Sequence, residues 1–120
     1  MALVTNTQGQ KSENEHRISL YPELEKFFEV VVVAGEGEVP AKPNAKAFAE
    51  CLELLGVAAA EAVYVGDDYR NDVEGATAAG MKAVWLKHHS VVRNWPDIEP
   101  AVPVISSLEE LLDLDKILEV

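Results

Sequence analysis

Three carboxylates lie within six residues of each other near the middle of the chain. Asp67 and Asp68 follow the apolar run 62–65 and Gly66, and Asp72 comes four residues after Asp68. If the apolar run is a buried strand, the first two acids lie at its carboxyl end, where open α/β sheets bind their ligands. Carboxylate oxygens are the ligands that Mg²⁺ prefers. The same acids also suit a turn and a helix N-terminus, so the three acids alone fit a metal site and a simple turn equally well.

A hydroxyl and a cation lie near other predicted strand ends. Thr5 follows the apolar run 2–4, and Lys42 lies in the loop after the four-valine run 30–33. A hydroxyl and backbone amides can hold phosphoryl oxygens, while a lysine and a carboxylate-held metal neutralise charge that develops during transfer. Thr5 alone would be an ordinary turn residue and Lys42 alone a solvated cation. Their expected position beside the acids predicts a phosphate site.

Alternating elements are expected to position these residues. Strands are predicted at 2–4, 30–33, 61–66, 82–86 and 104–105, and helices at 15–20, 22–28, 44–55, 71–79 and from 107 to either 112 or 118. This order predicts an α/β layer with a mainly parallel sheet.

Several residues are expected to set the ends and inner faces of these helices. Asn44 and Asn71 are predicted N-caps, and Gly56 and Gly80 are predicted stops. Ser107 with Glu110 forms a predicted capping box. Leu24, Phe27 and Phe28 are expected to face inward, Trp85 to lie in the core, and Cys51 to be a buried small hydrophobe on its helix.

Composition limits the kinds of protein this chain can be. The 120 residues fit one domain with a single core, and 48% of them are apolar. The formal net charge of −11 argues against nucleic acid and anionic membranes as partners. The sequence holds no apolar run long enough for a membrane span, and its start lacks the pattern of a signal peptide. The single cysteine is compatible with a reducing compartment, so a cytoplasmic location is expected.

The motifs together resemble one known family. Thr5-Asn6 after a strand, Lys42-Pro43, and the run 66–72 look like motifs two, three and four of the haloacid dehalogenase-like hydrolase superfamily. The likeness extends to the last strand and helix and covers almost the whole chain. It implies a three-layer Rossmann-like domain of the phosphatase type that acts with Mg²⁺ on a phosphorylated small molecule.

The resemblance also implies roles for individual residues. Thr5 would bind the substrate phosphate with help from the Asn6 amide, and Lys42 would bridge phosphate and nucleophile. Asp67 would be a Mg²⁺ ligand, Asp68 would have a minor metal or outer role, and Asp72 would hold the lysine or a metal-bound water.

One feature of the family is missing from this sequence. Its first motif, an Asp-x-Asp pair after an N-terminal strand, supplies the nucleophile and the acid/base. The only Asp-x-Asp here is 113–115, which follows a helical pattern. The resemblance therefore implies a core domain spanning 1–120, truncated on its N-terminal side, without the usual central strand and without the cap domain.

The missing strand would leave two central strands with unpaired edges. Buried unpaired backbone groups cost about 1–3 kcal/mol each, and open edges favour association. The two strands could pair directly, a second copy could complete the sheet, or a separate N-terminal segment could do so. Of these outcomes we expect a homodimer.

Three functions are therefore compared. The first is a phosphatase-type domain that is inactive or incomplete alone. The second is a phosphatase completed by another polypeptide or an N-terminal segment. The third is a non-catalytic module for phosphate or metal binding or for assembly. A receiver domain is disfavoured, because there the acidic pair precedes the threonine and lysine.

Overall fold

Five parallel strands and the helices between them form the part of the chain that the computed structural model describes, namely residues 1–6, 22–35, 38–88, 97 and 99–118. The strands are β1 (Ala2–Asn6), β2 (Val30–Ala34), β3 (Val63–Gly66), β4 (Lys82–Leu86) and β5 (Val104–Ile105). The α-helices are α1 (Pro22–Glu25), α2 (Ala45–Leu55), α3 (Gly75–Ala78) and α4 (Leu114–Leu118). Short 3₁₀ turns occupy Ala59–Glu61 and Leu108–Asp113, and a π-helical turn occupies Tyr69–Glu74. The predicted parallel α/β fold is confirmed. The helix predicted at 15–20 lies outside the described residues.

The strands form two separate parallel groups. β1 pairs with β2, in register from Ala2 opposite Val30 to Asn6 opposite Ala34. β3, β4 and β5 form the second group in that order. Within the described part of the chain, β1 and β3 are not hydrogen-bonded neighbours. The ladder is therefore interrupted between β1 and β3 in the described residues, and these two strands have not paired directly.

Local sequence explains β2 and α2. β-branched valines favour extended backbone, and Val32 and Ala34 of β2 are buried against the first part of the core. The side chain of Asn44 accepts a hydrogen bond from the Lys46 amide and caps α2. Gly56 ends the helix with a φ of +69°, a conformation that side chains with a Cβ disfavour. The predicted ends of this helix are confirmed.

The helix after β3 begins earlier than predicted. Asp68, and not Asn71, is its N-cap: the Asp68 carboxylate accepts from the Asn71 amide at 3.0 Å. The chain then makes the π-helical turn Tyr69–Glu74 before α3. The predicted stop is confirmed, since Gly80 follows α3 with a φ of +88°.

The core has two clusters. The first lies between α2 and the β1–β2 pair and the second between α2, α3 and β4. The first consists of Val4, Val32, Ala34, Ala47 and Cys51, and the second of Phe48, Val73, Ala76, Ala83 and Trp85. The predictions that Trp85 and Cys51 are buried are confirmed, at 0% and 8% exposure.

The expected packing of the segment 22–28 is wrong in part. Leu24 and Phe27 are 52% and 55% exposed, while Phe28 is half-buried. α1 has only four residues and buries none of them. A single helical turn is too short to present an apolar stripe to the core.

The last described segment begins at the predicted capping box. Ser107 and Glu110 form both of its hydrogen bonds, and the 3₁₀ turn they cap leads directly into α4. Over the described residues, no helix has the length and apolar character needed to cross a membrane.

Candidate functional site

A buried ion pair joins the loop before α2 to the turn after β3. Lys42 Nζ lies 2.6 Å from Asp72 Oδ1, and the two side chains are only 10% and 7% exposed. A charge taken out of water needs a close partner of opposite sign. Each charge therefore stabilises the other. The ion pair brings together two predicted site residues that lie 30 positions apart in the sequence.

Gly66 makes room for the carboxylate of this pair. A Cβ on Gly66 would overlap the Asp72 side chain, including its carboxylate. The second oxygen, Oδ2, accepts from the Asp68 amide at 3.0 Å. The glycine at the end of β3 is thus required because the Asp72 side chain lies directly against the strand.

Asn6 connects the end of β1 to the lysine loop. Its Oδ1 accepts from the Lys42 amide at 2.8 Å, and its Nδ2 donates to the Lys42 carbonyl at 3.3 Å. Thr5 is half-buried, and its hydroxyl makes a long contact of 3.4 Å to the Asn6 carbonyl. The structure therefore brings Thr5, Asn6, Lys42 and Asp72 to one edge of the interrupted sheet. Their phosphate-binding and catalytic roles remain predictions.

Tyr64 is a member of this group that the sequence analysis missed. Its hydroxyl accepts from Lys42 Nζ at 3.0 Å and lies 3.2 Å from the Val4 carbonyl. Burial, and then the adjacent Asp72 carboxylate, raise the pKa of Tyr64 well above its ordinary value. A tyrosine inside a predicted buried strand is itself a signal, since a buried hydroxyl almost always has a hydrogen-bond partner.

The acids do not form a complete Mg²⁺ site. No group of three or more histidine, cysteine or acidic side chains in the described ranges is placed to hold a metal ion. Both Asp68 oxygens accept from Asn71, and both Asp72 oxygens are used by Lys42 and the Asp68 amide. Mg²⁺ requires a near-octahedral shell of oxygens, and the described acids do not complete such a shell by themselves. The roles predicted for Asp67 and Asp68 as metal ligands remain untested.

Comparison with known proteins assigns the family. The sequence model of the haloacid dehalogenase-like hydrolases matches residues 1–86. The chain belongs to this family. The match includes β1, the lysine loop, the turn after β3 and all of β4, and therefore every residue of the candidate site.

Similar sequences and structures include phosphatases and a dehalogenase. The chain is 33% identical over 108 residues to N-acylneuraminate-9-phosphatase of Homo sapiens, which covers 89% of this chain and 43% of the relative. It is 40% identical over 93 residues to glyceraldehyde 3-phosphate phosphatase of Methanopyrus kandleri, with coverage of 76% and 40%. A crystal structure of 2-haloacid dehalogenase from Pseudomonas syringae superposes with a TM-score of 0.72 at 28% identity, over 97% of this chain and 46% of that one.

This chain of the haloacid dehalogenase-like family is much shorter than its relatives. It spans about two fifths of the length of the curated phosphatases it matches. The similarity to both phosphatases and a dehalogenase shows that the shared core does not by itself fix the reaction.

Proposed function

We propose that this chain is the phosphate-recognising part of a haloacid dehalogenase-like phosphatase, with residues 1–120 as a single core domain. Its ligand would be the phosphate group of a phosphorylated small molecule. The observation that carries the proposal is the buried Lys42–Asp72 ion pair, which Asn6 fastens to the end of β1. The two curated relatives above are phosphatases, which favours phosphate esters over halogenated acids.

The site residues would share the work of binding the anion. The Lys42 ammonium has three N–H donors, and two of them point at Asp72 and Tyr64. The third would donate to a phosphate oxygen, with the Thr5 hydroxyl and the Asn6 amide as further donors. Asp72 would act in catalysis by keeping the lysine charged and in place. Because the formal charge of the chain is −11, this one cation would have to attract the anion locally.

Catalysis by this chain alone would be incomplete. The sequence has no Asp-x-Asp after a strand to supply the nucleophile, and its acids do not form a Mg²⁺ site on their own. Mg²⁺, by family resemblance, would supply charge neutralisation at the phosphate, and Asp67 would need oxygen ligands from elsewhere to hold it. We therefore expect negligible turnover by the isolated chain.

Completion by other residues is the alternative in which the protein is an active phosphatase. The interruption between β1 and β3 favours it, because a further strand placed there would restore one continuous sheet. That strand would come from another polypeptide or an N-terminal segment. A second copy of this chain would complete the sheet without adding a nucleophile. The free, buried Cys51 is compatible with the cytoplasmic location that we expect for either form.

A non-catalytic binding module is the second candidate function. It is favoured by the hydrogen bonds that occupy both oxygens of Asp68 and of Asp72. Such a site could hold phosphate without needing a metal. Phosphate binding without turnover, even after a strand with Asp-x-Asp is added, would support this module.

Thermal unfolding with orthophosphate tests the binding proposal. Orthophosphate should raise the Tm of the chain, because a ligand that binds only the folded state stabilises it. Lys42→Met and Thr5→Val should each reduce the shift, measured against the variant's own Tm. Lys46→Met is the matched control, since Lys46 is an exposed lysine of α2 that does not belong to the ion pair. An unshifted Tm in the wild-type chain would contradict the proposal.

Hydrolysis of an aryl phosphate tests the expectation of inactivity. Highly purified chain with Mg²⁺ should release no more phenol than the buffer does. Turnover that is lost in Asp67→Asn would show that the chain is an active enzyme by itself. Turnover that appears only when a second polypeptide carrying a strand and Asp-x-Asp is added would support completion from outside the chain.

A further inference from the structure

The hydroxyl of Tyr64 lies where three elements meet. It is 3.0 Å from Lys42 Nζ, 3.2 Å from the Val4 carbonyl on β1, and 3.5 Å from Asp72 Oδ1. Tyr64 itself belongs to β3. The hydroxyl therefore links β1 to the ion pair across the boundary at which the strand ladder is interrupted.

A count of protons fixes the direction of these bonds. The ammonium can only donate, so the hydroxyl oxygen accepts from Lys42. The single hydroxyl proton then goes to one acceptor, and the Val4 carbonyl is closer than Asp72. Because burial and Asp72 raise the pKa of Tyr64, the hydroxyl keeps its proton throughout the neutral range. The bonds thus run from lysine to tyrosine to β1 in one direction.

The ring of Tyr64 is held independently of its hydroxyl. It packs edge-on against Phe48 with ring centroids 5.0 Å apart, and it contacts both core clusters. Lys42 Nζ also lies 5.5 Å from the ring centroid. A phenylalanine at this position would keep these contacts and lose only the hydrogen bonds.

We propose that Tyr64 is a positioning residue that directs the Lys42 ammonium towards the phosphate site at the end of β1. With Asp72 and Tyr64 as fixed acceptors, two N–H bonds of the ammonium have set directions and the third is left for an anion. Val4 directly precedes Thr5 and Asn6. The hydrogen bond from the Tyr64 hydroxyl to the Val4 carbonyl therefore also fixes the position of the Lys42 ammonium relative to those two residues. This proposal rests on the phosphate-binding function proposed above.

The test compares Tyr64→Phe with Tyr69→Phe. Tyr69 also packs on an aromatic side chain, with its ring 4.6 Å from that of Trp85, and it makes no contact with Lys42 among the described contacts. The first measurement is the Lys42 ¹⁵Nζ chemical shift, read through the Cε protons of lysine-labelled protein without ligand. Tyr64→Phe should move this signal, and Tyr69→Phe should leave it in place.

The second measurement is the affinity for orthophosphate by calorimetry. Tyr64→Phe should weaken it roughly fivefold, the effect of one net hydrogen bond, and Tyr69→Phe should not change it. An unchanged Lys42 signal in Tyr64→Phe would overturn the positioning role, as would an unchanged affinity in that variant. If the wild-type chain binds no orthophosphate, the proposed function fails, while the Lys42 signal still shows whether the hydroxyl orients the ammonium.

Discussion

At the scale of single residues, the Lys42–Asp72 pair gives the site its rigidity. Both side chains are nearly buried and 2.6 Å apart, and each has further partners. Breaking a buried pair leaves an unpaired charge, which costs more than the pair itself contributes. Lys42 and Asp72, which are proposed to form the anion site, should therefore also be important for the stability of the fold.

We expect Asp72→Asn to lower the free energy of unfolding by about 3 kcal/mol, because it leaves the Lys42 ammonium buried without a counter-charge. Asp115→Asn is the matched control, since Asp115 is exposed on α4. It should change stability by no more than about 0.5 kcal/mol. Urea unfolding measures both values, provided that the m-value stays constant. Equal losses of unfolding free energy in the two variants would show that the Lys42–Asp72 pair does not contribute more to stability than an exposed carboxylate does.

Gly66→Ala should be more damaging than a glycine substitution that only strains the backbone. The new Cβ would overlap Asp72, and overpacking of this kind costs about 1–3 kcal/mol. Gly56→Ala is the comparison, because a Cβ there meets nothing within 4 Å and only the φ of +69° is unfavourable. That change should cost about 1 kcal/mol. Thermal unfolding of both variants measures the two losses of stability. A larger loss of stability in Gly56→Ala than in Gly66→Ala would contradict the close packing of Asp72 against Gly66.

The sequence predicted which residues lie together at the candidate site, but it did not predict the hydrogen bonds between them. The acids, the lysine and Thr5-Asn6 are found at one edge because parallel strands align their carboxyl ends. Asp68, and not the predicted Asn71, caps the helix, because the Asp68 carboxylate accepts from the Asn71 amide. Tyr64 was missed because its hydroxyl acts across the sheet, and residue spacing carries no information about that.

At the scale of elements, long patterned segments were predictable and short ones were not. The valine run and the Asn44 to Gly56 pattern each gave the observed element. The predicted inward face of α1 was wrong, because a single helical turn has too few residues to form an apolar stripe. The π-helical turn Tyr69–Glu74 overlaps the start of a helix that was predicted as an ordinary one, since no sequence pattern distinguished the two.

The capping box at the C-terminal turn should respond to acid. Glu110 accepts from the amides of Ser106 and Ser107 at 2.6 and 3.0 Å, and these bonds lower the pKa of its carboxyl group. The stabilisation is present above the ordinary glutamate pKa and is lost as the pH falls through the lowered value. The protection factors of the amides in 108–113, which correct for the slower intrinsic exchange in acid, should therefore fall as the pH is lowered through that value.

The variant Glu110→Gln separates this effect from general acid unfolding. It should remove the acid-dependent step in the Ser106 and Ser107 amide shifts. Glu109→Gln should retain that step, because in the described turn both amides donate to Glu110. A step of the same size in both variants would mean that another acid is responsible.

At the scale of the whole molecule, the interrupted ladder points to association. β1 and β3 each lack a ladder neighbour on one side in the part of the chain that the structure describes. Unpaired strand edges are templates for another chain. Charge opposes this tendency, since each copy carries −11 and like-charged molecules repel each other.

We therefore expect a dimer whose stability rises with salt. The Debye length falls from about 30 Å at 0.01 M salt to about 10 Å at 0.1 M, so screening weakens the repulsion while leaving strand pairing intact. Sedimentation equilibrium at several concentrations should give a mass near one chain at low salt and near two chains at 0.5 M. A mass of one chain at every salt concentration would contradict this expectation and show that the open edges do not associate.

The exposed leucines near the C-terminus provide the control for this experiment. Leu112 is 89% exposed and Leu108 is 59% exposed one turn away, and an apolar patch of that kind could also associate at high salt. If the strand edges form the dimer, Leu112→Glu should leave the dissociation constant within about twofold of the wild-type value, because a single exposed residue outside an interface contributes little. If the leucines form it, the added charge should abolish the dimer, and the interruption between β1 and β3 would then remain open in solution for a strand from another polypeptide.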